Sequence, residues 1–74
     1  MQVYFVELAG ENAFSRLETL KHELGLLSAL RSLKLLKNTT QPDLYLLVIE
    51  TSEEAHIPAP EGSRLWTFVE AKGQ

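Results

Sequence analysis

The spacing of hydrophobic residues changes along the chain, and each change marks an element. From Gln2 to Leu8 the pattern is strand-like and apolar on both faces. Val3 and Phe5 share one face, Tyr4, Val6 and Leu8 the other, and Glu7 is the one charge among them. Ala9-Gly10-Glu11 breaks this pattern. From Ala13 to Leu24 the period becomes helical, with Ala13, Phe14, Leu17, Leu20 and Leu24 in a single stripe. Asn12 suits the N-cap, where a side-chain oxygen accepts an orphan N–H. Gly25 suits a left-handed C′ position. Leu26 to Lys37 is read as a long second strand, with Leu27, Ala29, Arg31, Leu33 and Leu35 on one face and a bulge or bend near Arg31.

Asn38-Thr39-Thr40-Gln41-Pro42-Asp43 is a turn signal, and it introduces Leu44 to Glu50, the stretch that organises the rest. Leu44, Leu46 and Val48 point one way; Tyr45, Leu47 and Ile49 point the other. A strand apolar on both faces needs cover on both. Thr51 to Arg64 is a connection in which Ser52 caps a turn over Glu53-Glu54-Ala55-His56. Ile57-Pro58-Ala59-Pro60 then runs extended, because each proline disfavours the helical region at its predecessor. Leu65 to Ala71 is the last strand and Lys72-Gly73-Gln74 a tail. This connection is long enough for a parallel crossover. With right-handed crossovers the order is β-α-β-β-connection-β in a four-stranded antiparallel sheet, 4-1-3-2. The expectation is an α+β, ferredoxin-like fold whose second helix is reduced to a turn and a proline strap.

Composition narrows the means of closing such a core. The 74 residues make one domain, 1–74, near the size at which small folds recruit disulfides, metals or partner subunits. There is no cysteine and there are only two histidines, so neither a disulfide nor a structural metal site is expected. Oligomerisation remains, and a homodimer burying the second sheet face is the expectation. Its centre would hold Val3 or Tyr4 with neighbours from Leu44–Ile49, and alternation alone leaves open which set faces the partner. The net charge of −3 comes without a basic block, which argues against nucleic acid. No apolar run approaches a membrane span, and MQVYFVELAG lacks a basic n-region; a soluble cytoplasmic protein is expected.

The runs Gly25-Leu26-Leu27-Ser28-Ala29-Leu30-Arg31-Ser32-Leu33, Gln41-Pro42-Asp43-Leu44-Tyr45-Leu46-Leu47-Val48-Ile49-Glu50 and Ser52-Glu53-Glu54-Ala55 resemble the antibiotic biosynthesis monooxygenase-like family. Its members show a glycine after the first helix, a long second strand and a short polar turn. An aromatic-aliphatic third strand ending in an acid and a Ser-x-Glu-Ala helix start follow. The resemblance spans residues 12–55 and implies a dimeric α+β barrel. In that family some members are cofactor-independent oxygenases of aromatic substrates, and others degrade haem. The chain departs from the pattern where the second helix should close the pocket, and no helical histidine matches the haem degraders' set. No cofactor is implied.

Candidate chemistry is sparse. His56 can serve as a base or ligand at a pocket rim, since imidazole titrates near neutrality, although a loop histidine is more often simply solvated. Arg31 with Glu50 can pair across the sheet or anchor an anion. Tyr4, Tyr45, Trp66 and Phe68 can line one cavity for a small apolar or aromatic ligand, against the commoner role of such residues in a core or subunit interface. His22 lies off the helix stripe, within reach of Glu18. No phosphate-binding, nucleophile-elbow or zinc-protease motif occurs. The leading expectation is a small dimeric protein that binds a small molecule, with no catalysis assigned to it. The alternatives are a cofactor-independent monooxygenase acting on an aromatic substrate and a non-catalytic assembly module.

Overall fold

The computed structural model describes residues 1–71; the tail, residues 72–74, lies outside the described residues. Strand β1 (Gln2–Ala9) leads into helix α1 (Ala13–Leu24), followed by β2 (Leu30–Lys37), β3 (Leu44–Thr51) and β4 (Arg64–Val69). The strands form one antiparallel sheet in the order β2-β3-β1-β4. This is the ferredoxin-like β-α-β-β-β topology with a single helix. The strand from Leu44 lies between β1 and β2 and pairs antiparallel with both. The barrel expected from the family resemblance is overturned. The sheet is open, with β2 and β4 as its two edges.

Helix α1 buries Ala13, Leu17, Leu20 and Leu24. They meet Tyr4, Val6 and Leu8 of β1 and Leu47 and Ile49 of β3 in the core. Phe14 was expected in the stripe but stands 47% exposed. It leans instead on Tyr45, with ring centroids 5.5 Å apart. Neither helix end behaves as its residue type suggests. Asn12, at φ −102° and ψ 12°, lacks the extended backbone of a capping residue and makes no side-chain cap bond. Gly25 keeps right-handed geometry (φ −60°, ψ −15°), so the chain leaves the helix through a further turn and β2 begins at Leu30 rather than Leu26. The left-handed residue before β3 is Asp43 (φ 63°), whose carbonyl accepts the N–H of Gly10 at 2.9 Å. Gly10 itself sits at φ 123°, where a side chain is strained.

The bulge expected near Arg31 is present. Leu30 pairs with Thr51 and Ser32 with Glu50, leaving Arg31 as the extra residue. Leu33 and Leu35, opposite Ile49 and Leu47, therefore face the helix, while Arg31 drops out of the alternation and is exposed. The connection between β3 and β4 forms no helical turn, not even over Glu53–His56, where a reduced second helix was expected. The Thr51 hydroxyl donates to the Glu53 carbonyl at 2.6 Å, which holds the chain in a bend there. The strap then crosses the helix side of the sheet. Ile57, 5% exposed, is its anchor, with Ala55 and Ala59 packed beside it. Arg16 of α1 donates to the Glu61 carbonyl at 2.8 Å. One helix and one strap thus share a single side, and the least extent of the molecule, 18 Å, is that of a sheet covered once.

Candidate functional site: the uncovered sheet face

Antiparallel cross-strand partners point to the same side of a sheet, so the register fixes both faces. The covered face carries Tyr4, Val6 and Leu8 with their partners Ile49, Leu47 and Tyr45. The other face can be read row by row from β2 to β4. Ser32, Glu50, Val3 and Phe68 form the first row, Lys34, Val48, Phe5 and Trp66 the second, and Leu36, Leu46, Glu7 and Arg64 the third. Val48 and Phe5 stand in the middle. The four charges lie around the perimeter. Phe68 meets Phe5 edge-to-face, with centroids 5.4 Å apart and planes at 81°. Leu36, Trp66 and Phe68 are 46%, 49% and 52% exposed. With strands about 4.8 Å apart and a rise of about 3.4 Å per residue, the face measures roughly 19 by 20 Å.

The four aromatic candidates divide between the two faces. Tyr4 is 4% exposed beneath the strap. Its hydroxyl donates to Gln2 Oε1 at 3.1 Å and accepts the Ala55 N–H at 2.9 Å. Tyr45 is on the same side but at the other end of β3, against Phe14. Trp66 and Phe68 pair with Phe5 and Val3 and lie on the uncovered face. Phe5 joins them as a third aromatic. Its alternation with Tyr4 marks it as opposite in direction, but only the register shows it between Trp66 and Val48.

His56 is exposed on the strap, between Ala55 and the buried Ile57, and so belongs to the helix side. Glu50 is matched with Ser32 rather than Arg31. His22 and Glu18 line a broad open trough along α1, together with Phe14, Leu26 and Leu33. A second open depression lies at the β2–β3 hairpin, between Glu7, Leu36 and Tyr45. Among the described residues no group of three His, Cys, Asp or Glu side chains is placed to hold a metal ion. No helix of the described residues is long and apolar enough to cross a membrane.

No family model, no curated protein and no solved structure matches the chain.

Proposed function

We propose that this chain is a non-catalytic assembly module that joins a second copy of itself through the uncovered sheet face. The observation that carries the reading is the apolar middle of that face, Phe5 and Val48, flanked by Trp66, Phe68, Val3, Leu46 and Leu36 and covered by no element of the described chain. The face has a projected area of about 400 Å², a large part of the roughly 800 Å² that each partner gives to a standard interface. Apolar surface of this kind gains about 25 cal/mol for each Å² removed from water. The pattern of an apolar centre inside a charged perimeter is that of an interface with a dry core and a polar rim.

The aromatic trio Phe5, Trp66 and Phe68 supports a second reading within the same site, in which a small apolar or aromatic ligand is held between two such faces. An oxygenase would need a base beside that ligand. His56 lies on the other side of the sheet and Arg31 at its far edge, while the carboxylates on the face itself, Glu7 and Glu50, belong to its rim opposite Arg64 and Ser32, so the non-catalytic reading is preferred. Kinship with the antibiotic biosynthesis monooxygenase-like family belongs to this proposal too; the shared motif order and the ferredoxin-like topology support it.

Sedimentation equilibrium at micromolar concentration tests the reading. The wild-type chain is expected above monomer mass, and Phe5→Glu, which sets a charge in the middle of the face, is expected to halve that mass while leaving the far-ultraviolet spectrum unchanged. An assembly mass unaffected by Phe5→Glu would overturn it. Native mass spectrometry of protein from its own source would show a ligand as added mass lost in Phe5→Glu.

A further inference from the structure

The two edges of the sheet are not alike. The β2 edge has a bulge at Arg31 and carries Lys34 and Lys37, the features that keep an edge strand from pairing with another chain. The β4 edge, Arg64–Val69, has no bulge, proline, glycine or lysine, and all six of its residues are exposed. Apart from its pairing with β1, no backbone hydrogen bond reaches it among the described residues. Its side chains are apolar on both faces, with Leu65 and Val69 on one and Trp66 and Phe68 on the other. A strand of this composition is a template for another strand.

The sequence of β4 is complementary to itself when reversed. In an antiparallel pair of two β4 strands, alternation must match, so residues of the same face stand opposite one another. Centred on Thr67, the pair sets Thr67 against Thr67, Trp66 against Phe68, Leu65 against Val69, and Arg64 against Glu70 of the second copy. Every match except the one on the axis, Thr67 with Thr67, occurs twice. All are favourable cross-strand combinations: hydroxyl with hydroxyl, aromatic with aromatic, aliphatic with aliphatic, and opposite charges. Sliding by one pair destroys this. Centred on Trp66, the pair brings Arg64 opposite Phe68; centred on Phe68, it brings Trp66 opposite Glu70.

We propose that β4 is a second self-association surface, pairing antiparallel with β4 of another copy about a two-fold axis at Thr67 to make one continuous eight-stranded sheet. This inference stands apart from the face reading and adds to it. A two-fold axis between neighbouring strands is perpendicular to the sheet, so both uncovered faces lie on the same side and merge into a single apolar floor twice as wide. Two such floors closing on each other make a four-chain assembly with two kinds of contact.

Charge reversal tests the pairing, with sedimentation equilibrium as the readout. Glu70→Arg sets arginine against arginine at both ends of the pair and is expected to weaken edge association about tenfold. Arg64→Glu sets glutamate against glutamate, with the added effect that Arg64 also faces Glu7 in its own chain. The two single variants mixed together, or the double variant Arg64→Glu/Glu70→Arg, are expected to recover the wild-type mass, because every edge pair is again opposite in charge. Far-ultraviolet spectra confirm that each variant is folded. If both surfaces operate, the wild type is a tetramer, Phe5→Glu leaves a dimer, Glu70→Arg shifts the tetramer toward dimer by about tenfold in dissociation constant, and the two combined shift the remaining dimer toward monomer. A wild-type dimer weakened by Glu70→Arg and untouched by Phe5→Glu would retain the edge and refute the face. A mass indifferent to Glu70→Arg, or a mixture that fails to recover, would overturn the edge pairing.

Discussion

Tyr4 and Ala55, 51 residues apart in the chain, are joined by a hydrogen bond in which the Ala55 N–H donates to the Tyr4 hydroxyl at 2.9 Å. The bond fastens the strap to the central strand β1 in the place where a second helix would otherwise lie. It also satisfies two polar groups that the strap takes out of water, one on each partner.

Tyr4→Phe removes the hydroxyl and leaves the Ala55 N–H without its acceptor. The expected loss is about 1–3 kcal/mol, because an unpaired donor in a partly buried site bears its full desolvation penalty. Urea unfolding followed by tryptophan fluorescence measures it. A loss no larger than that of an exposed substitution would mean that the strap is held by packing alone.

Ile57→Ala tests that packing. Ile57 is 5% exposed and is the strap's one buried residue of the core cluster. Truncation to alanine is expected to cost about 2–5 kcal/mol, a large share of the roughly 5–15 kcal/mol that holds a domain together. The same denaturant titration checks it. Hydrogen exchange should show faster opening at residues 52–63 than in β1 or β3.

Asn38→Ala tests the hairpin. The Asn38 side-chain oxygen accepts the N–H groups of Thr40 at 2.9 Å and Gln41 at 2.7 Å, and the Thr40 hydroxyl at 3.1 Å. Those bonds shape the turn that delivers β3 in register with β2. Because the turn is exposed, water replaces them in part, and a loss of about 0.5–2 kcal/mol is expected, by analogy with loss of a helix cap. Thermal unfolding followed by circular dichroism measures it as a lowered midpoint.

Local chemistry in the chain was enough to identify the elements and their order. The alternation of Leu44 to Ile49 required a central strand, the stripe from Ala13 to Leu24 required a helix, and Pro58 and Pro60 required an irregular strap; each is present. These features are legible because they depend on periods and on steric rules that act within a few residues. Asn12 and Gly25 misled because their residue types permit a cap without compelling one. The long Leu26–Lys37 run misled for a related reason. Helix α1 continues into a turn beyond Gly25, so the first residues of that run lead from helix to sheet edge and the register with β3 begins only at Leu30, beside the bond in which Ser52 N–H donates to the Ala29 carbonyl at 2.8 Å.

What alternation cannot express is which of two apolar faces receives the helix. Val3 with Phe5, and Tyr4 with Val6, are equally good candidates in the sequence, and the same holds for Val48 against Ile49. The tertiary structure decides it. Helix α1 and the strap both cross on the side of Tyr4, Val6, Leu47 and Ile49, leaving Phe5, Val48, Trp66 and Phe68 uncovered. A period of two fixes which residues travel together. The direction of each crossover fixes where they end up, and that direction is a property of the closed chain rather than of any stretch within it.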